Sequence, residues 1–249
     1  MDNFIVPFGI KVDGSVCSIN FSSSDSPHLL IAGTTGSGKS VVLETILYSS
    51  IHYYNSKELE IRIIDPKGNE LIDFEDEEHV EGPNGCNADD AIETLSLAVE
   101  EMDNRYDKFT NCKTLYGKAA KSLSGYNRMC TNKVERIPRW LIVLDEYADL
   151  VEEDPSKKKT IESLMKRLSQ KARACGIHLI IATQKPVVDV INTVVKSNLP
   201  ATLALKVRTS KDSMVILDET GAEVLTGNGD ALYKNGSGQV ERVQCAIHV

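Results

Sequence analysis

Eight consecutive residues, Gly33 to Ser40, read GTTGSGKS, an order of residue types suited to holding the phosphates of a nucleotide. Glycine at 33, 36 and 38 opens backbone conformations closed to residues with a Cβ, so that successive N–H groups can turn inward around phosphate oxygens. Lys39 adds a point charge, and Ser40 offers a hydroxyl to a magnesium ion bridging the β- and γ-phosphates. The helix that continues from Val41 would aim its positive end at the same anion. Gly33, Thr34, Thr35, Gly36, Ser37, Gly38, Lys39, Ser40 and Val41 are therefore the expected contacts of ATP, with Mg2+ as its companion.

Two further pairs have the chemistry to act on such a nucleotide. Asp145-Glu146 follows the apolar run Trp140 to Leu144, and Thr183-Gln184 follows His178 to Ala182. If both runs are parallel strands beside Leu29 to Ala32, their carboxyl ends share one edge of a sheet and the three loops converge there. Asp145 would then hold the metal together with Ser40 or through water. Glu146 would orient and deprotonate the attacking water, and Gln184 would sense the γ-phosphate or that water. Asp65 and Lys67, at the end of Ile61 to Asp65, fit an internal ion pair as well as a contact with nucleotide or DNA.

The elements that must position these residues can be read from periodicity. Residues 5 to 21 alternate apolar and polar types on either side of Asp13-Gly14, a hairpin signal. Helices are predicted from Lys39 to about Tyr54, from Asn87 or Asp89 through Ala91, Leu95, Val99, Met102 and Tyr106, and over 156 to 174 up to Gly176. A short helix is expected near Leu115 to Leu123, and 73 to 87 reads as an acidic surface loop around Gly82-Pro83-Asn84-Gly85. Ala201 to Val207, Ala231 to Tyr233 and Val240 to Ile247 are the remaining strands. Strands alternating with helices, several apolar throughout, imply an α/β fold with a mostly parallel sheet covered on both faces.

Composition narrows the class. The 249 residues are 41% hydrophobic and 26% charged, ordinary for a soluble domain. No apolar stretch is long enough to span a bilayer and the first 25 positions lack a signal-peptide build, so a cytoplasmic protein without direct membrane insertion is expected. Six scattered cysteines and five histidines without ligand spacing predict neither a disulfide framework nor a zinc site. A net charge of −8 argues against indiscriminate coating of nucleic acid. The cations Lys158, Lys166, Arg167 and Arg173 along the 156 to 174 helix read as a solvated face.

With these residues in view, nearly the whole chain resembles the motor domain of FtsK/SpoIIIE-type DNA translocases. The likeness is carried by Pro27 to Ala32 with GTTGSGKS, by Ile64-Asp65-Pro66-Lys67, by Glu101-Met102 to Arg105-Tyr106 and by Gly125-Tyr126-Asn127. It continues through Leu144 to Leu150, Gln170 to Leu179, Ala182 to Pro186, and Asp218 to Tyr233. The resemblance implies a RecA-like P-loop NTPase: a single motor domain over 1–249, with a β-hairpin extension over 1–27 and the core over 28–249. It also implies an ATPase that assembles as a homo-oligomer, a hexameric ring, around double-stranded DNA.

In such rings a neighbour supplies a basic residue to the nucleotide. Where the family reads Asp-Ser-Arg, this chain has Asp212-Ser213-Met214, so Arg208, or Lys211, is the expected substitute unless a partner completes the site. Pore-facing DNA contacts are expected over Lys185 to Asp189 and Leu225 to Gly229, with Lys185 the one basic residue there. Without a membrane segment before the motor or an orientation-reading module after it, the chain reads as an excised motor domain or a stand-alone protein. Two other readings accompany the translocase: an ATPase driving protein secretion or substrate recruitment, and a nucleotide-switched assembly factor beside a DNA-processing or DNA-modification partner.

Overall fold

The computed structural model describes residues 3–82 and 84–247; Pro83 of the acidic loop and His248 lie outside the described residues. The hairpin forms as β1 (Ile5–Lys11) and β2 (Val16–Asn20), closed where the Gly14 N–H donates to the Lys11 carbonyl at 2.9 Å. Then come β3 (Leu29–Ala32), α1 (Lys39–Tyr53), β4 (Leu59–Ile64), α2 (Ala88–Tyr116), α3 (Leu123–Met129) and β5 (Arg139–Leu144). The second half adds α4 (Tyr147–Glu153), α5 (Lys158–Cys175), β6 (Ile177–Thr183), α6 (Thr193–Asn198), β7 (Ala201–Leu205), α7 (Ser210–Leu217), β8 (Asp230–Lys234) and β9 (Val240–Cys245).

The nine strands of the described residues join one sheet in the order β2-β1-β9-β8-β7-β3-β6-β5-β4. The run β7-β3-β6-β5-β4 is parallel, and β8, β9, β1 and β2 continue it antiparallel, so the N-terminal hairpin forms one margin of the sheet. β3 is apolar at every position, and β5, β6 and β7 are buried along their whole length, because successive side chains point to opposite faces and both faces are covered. Leu30, Ala32, Ile142 and Leu144 enter a core beneath α2, α4, α5, α6 and α7. Leu29, Ile31, Leu141 and Val143 enter a second core, shared by α1 and the hairpin. From β3 the chain crosses to β4 at the far edge, returns through β5 and β6, and then places β7 on the other side of β3. That reversal puts the topological switch point, and the crevice that goes with it, at the carboxyl end of β3.

One expectation is corrected. The short helix near Leu115 to Leu123 is absent from that place: α2 runs on to Tyr116 and stops at Gly117, whose φ of 76° is left-handed, and α3 begins only after Ser122, which caps it through the Gly125 N–H. The apolar spacing merged the tail of one helix with the head of the next. The acidic loop is also tied to the sheet, with Val80 and Gly85 bridging Ile61 and Ile64. The Glu101 to Tyr106 segment has a structural task. Arg105, fully buried, donates from Nε to Glu101 and from Nη1 to the Cys175 carbonyl at 2.7 Å, capping the last turn of α5.

Candidate nucleotide site

The loop between β3 and α1 curls back toward its own helix. Gly36 and Gly38 sit at φ 79° and 100°, conformations that cost an L-residue with a Cβ about 1–2 kcal/mol. Gly33 has an ordinary φ and is required for another reason: a Cβ there would lie 2.6 Å from both Leu205 Cβ and Ser37 Oγ. Gly38 is the cap residue of α1 and provides no side-chain cap, so the helix opens with N–H groups available to an anion. The loop is pinned from outside, by Thr34 N–H to Lys206 O at 3.0 Å and by Gly229 N–H to Ser37 O at 2.9 Å.

Lys39 and Ser40, the cationic and hydroxylic members, are occupied by carboxylates in this structure. The Lys39 ammonium is 3% exposed; it donates to Asp145 Oδ1 and lies 3.5 Å from Glu70 Oε2, to which the Ser40 hydroxyl donates. Burial pushes the Asp145 carboxyl up to about 6 against the pull of Lys39. Its second oxygen, Oδ2, is buried without a hydrogen-bond partner. A hydroxyl, a carboxylate oxygen with an unused lone pair and a second carboxylate nearby are hard oxygen donors of the kind Mg2+ prefers, and such sites use few protein ligands because phosphates supply the rest.

Glu146 follows in a left-handed conformation, φ 43°, which turns its side chain away from α4 and toward β6. One carboxylate oxygen accepts from the Thr183 hydroxyl at 3.1 Å, and both accept from the Gln184 N–H, at 3.0 and 3.3 Å. The Gln184 amide oxygen in turn accepts from the Thr35 hydroxyl at 2.8 Å. The ends of β5 and β6 are thus hydrogen-bonded into one continuous chain with the phosphate loop, as their placement in the sheet predicts.

Glu70 is the residue that sequence reading missed. Asp65 brings it in, accepting the Lys67 N–H on Oδ1 and the Glu70 and Leu71 N–H groups on Oδ2, which folds residues 65–71 back over Ser40. Asp65 is therefore a backbone organiser. The Lys67 ammonium pairs with Glu70 at 3.5 Å and Glu146 at 3.6 Å. An acidic residue five positions after a strand-end aspartate was the only signal available.

Other expected residues lie apart from this cluster. Arg208, just before the cap of α7, and Lys211, in its first turn, are both exposed, and Met214 is 46% exposed on that helix. Lys185 pairs with Glu152 and, at 3.5 Å, with Asp149. The segment Leu225 to Gly229 packs against the phosphate loop: a Cβ on Gly38 would lie 2.7 Å from the Gly229 nitrogen. There it helps form an apolar cavity of about 270 Å³ with Gly36, Val41, Val42, Asn228, Ala246 and Ile247. Its size, its apolar wall and its place beside the loop suit the base of a nucleotide.

Comparison with known proteins gives the same fold and a family. The model of the FtsK/SpoIIIE family matches residues 2–188. DNA translocase SftA of Bacillus subtilis is 38% identical over 239 residues, 95% of this chain and 24% of that protein. DNA translocase FtsK of Borreliella burgdorferi is 39% identical over 234 residues, 93% of this chain and 29% of that one. The chain therefore spans about a quarter of the length of these curated relatives. Among solved structures, the pCW3 conjugation coupling protein TcpA, a monomer form with ATPgS, superposes with a TM-score of 0.80 at 28% identity, covering 98% of this chain and 66% of that one. The cytoplasmic domain of the Thermomonospora curvata Type VII secretion ATPase EccC shares the fold at a TM-score of 0.79 and 23% identity, over 98% of this chain and 28% of that one.

Proposed function

The chain belongs to the FtsK/SpoIIIE family, and on that premise we propose that it is an ATP-hydrolysing motor, cytoplasmic and ring-forming as a hexamer, that binds double-stranded DNA and moves along it or pumps it. The observation that carries this reading is the hydrogen-bonded chain from Thr35 through Gln184 to Glu146, beside the Lys39–Asp145 pair. It joins phosphate binding to groups able to work on water.

In this reading ATP places its phosphates on the N–H groups at the start of α1 and its base in the cavity beside Val41. The arriving phosphates draw Lys39 from Asp145 and Ser40 from Glu70. Ser40 and Asp145 are the residues that would hold Mg2+, whose charge offsets that of the phosphates. Glu146 takes a proton from the attacking water, and its two tethers to β6 fix the direction of the accepting oxygen. Gln184, bonded to both Thr35 and Glu146, links the state of the γ-phosphate to Lys185 and the loop that follows, the segment assigned to DNA. Arg208 reaches a neighbouring subunit's nucleotide. Phosphoryl transfer asks chiefly for positioning and charge, and a basic group in trans contributes much of the rate.

The exposed Met214, at the position where the family pattern has arginine, favours a second reading, a nucleotide-switched assembly factor with slow turnover beside a DNA-processing partner. One pair of measurements separates the two: steady-state ATPase with and without duplex DNA, and molecular mass in solution with an ATP analogue and DNA. DNA-stimulated turnover with ring-sized mass supports the motor. Hydrolysis indifferent to DNA at low salt, from a chain that stays monomeric, refutes it.

A further inference from the structure

The turn that follows β4 brings a cation to the phosphate loop from outside it. Asp65 is buried and commits both carboxylate oxygens to backbone N–H groups, Oδ1 to Lys67 at 3.0 Å and Oδ2 to Glu70 and Leu71 at 3.0 and 3.3 Å. The Gly68 N–H closes the same turn on the Asp65 carbonyl at 3.0 Å. The backbone of Lys67 is thereby fixed, while its ammonium is directed away to Glu70 Oε1 at 3.5 Å and Glu146 Oε2 at 3.6 Å. Both separations exceed hydrogen-bond length, and the side chain is 35% exposed. Ion pairs this long and this wet hold a side chain weakly, so a more highly charged anion nearby would draw the tip of Lys67 to itself.

Glu70 marks where such an anion fits. Its Oε2 accepts from the Ser40 hydroxyl and lies 3.5 Å from the Lys39 ammonium, while Oε1 faces Lys67. One carboxylate is held by two ammonium groups and a hydroxyl, a donor set equally suited to the oxygens of a phosphate. Lys39 and Ser40 belong to the phosphate loop; Lys67 closes the cage from a different element. Two ammonium groups here face three carboxylates, those of Glu70, Asp145 and Glu146, so the charge of a triphosphate enters readily only when one carboxylate gives way. Glu70 is placed to do so. Its side chain is 18% exposed on an aperiodic turn, whereas Asp145 and Glu146 are buried at the end of β5.

We propose that Lys67 is a second cation, supplied by the same chain, for the terminal phosphate of ATP, and that Glu70 holds it in reserve by occupying the place of that phosphate until nucleotide arrives. The proposal rests on the reading of Gly33 to Ser40 as an ATP site. As Glu70 is displaced, the Lys67 ammonium passes from a carboxylate to the γ-phosphate while staying beside Glu146, the group that takes the proton of the attacking water. Negative charge on the equatorial phosphate oxygens is what catalysis of phosphoryl transfer must stabilise, and a preplaced ammonium does this without rearrangement of solvent.

The test titrates the full chain with ADP and with ATPγS, both in the presence of magnesium. Lys67→Ala should weaken ATPγS by at least about tenfold and leave ADP, which lacks the γ-phosphate, within about twofold of wild type; Lys67→Arg should recover most of the loss. Glu70→Gln can still accept from Ser40 but carries no charge, and should bind ATPγS about threefold or more tighter than wild type. A loss shared equally by the two nucleotides, or no loss, makes Lys67 a structural bridge of the turn and overturns the assignment. A Glu70→Gln variant that binds ATPγS no tighter than wild type overturns it as well. Failure of wild type to bind either nucleotide has a different meaning, since it removes the ATP reading itself and this proposal with it.

Discussion

Asp230→Asn tests whether the shoulder of the nucleotide site is held by one carboxylate. Asp230 opens β8 and accepts four hydrogen bonds, from Arg242 Nε at 2.9 Å and Nη2 at 2.7 Å, and from the Thr226 N–H at 2.8 Å and hydroxyl at 3.0 Å. The Arg242 guanidinium, helped by Thr226, holds its carboxyl down to about 2, from an ordinary 3.8. That difference corresponds to about 2.4 kcal/mol. Because the Arg242 side chain is 52% exposed, solvent screening brings the expected contribution to about 1–2 kcal/mol. Asparagine must turn its NH2 toward donors, so the variant should lose that much at pH 7, or about 2–4 °C in Tm for a domain of this size.

The sign of the pH dependence follows from the depressed folded value. The contribution is complete above the unfolded value, near pH 4, and is lost as pH falls towards 2, about half of it being gone by pH 3. Urea denaturation of wild type and variant at pH 7, 5, 4 and 3 reads the closing gap directly. The same turn carries the Gly229 N–H that bonds Ser37, so affinity for an ATP analogue should fall a few-fold in parallel. Equal stability at pH 7, or a gap unchanged at pH 3, would refute the reasoning.

Glu146→Gln should keep analogue affinity within a few-fold and lower steady-state hydrolysis by about 10²–10⁴, whereas Lys39→Ala should weaken the binding itself at least about tenfold; equal effects on binding would undo the separation of roles. Gly38→Ala meets the Gly229 backbone at 2.7 Å and Gly36→Ala meets open space. Both pay left-handed strain of about 1–2 kcal/mol, so thermal melts should rank Gly38→Ala clearly below Gly36→Ala. Lys185→Ala removes only exposed ion pairs and should change stability by less than about 1 kcal/mol. If Lys185 contacts a phosphate, the same variant lowers the salt slope of DNA binding by about one.

What could be read from the chain divides by how far apart in sequence the causes lie. The loop at 33–40, Asp145-Glu146 and Thr183-Gln184 were legible because each sits at the end of an apolar run, and a parallel sheet sends all such ends to one edge. Gly33 was rightly singled out for a reason that does not hold: its φ is ordinary, and what forbids a Cβ is Ser37 within the loop together with Leu205, 172 positions away. Glu70 was illegible because its approach to Ser40 depends on Asp65 bending an aperiodic loop.

The boundary between α2 and α3 was hidden for the same kind of reason. Apolar residues recur from Leu115 to Leu123 as they would along one helix, but Gly117, at φ 76°, ends α2, and Ser122, accepting the Gly125 N–H, starts α3. A left-handed residue and a side-chain cap set the break, and neither alters the apolar spacing from which a helix is read.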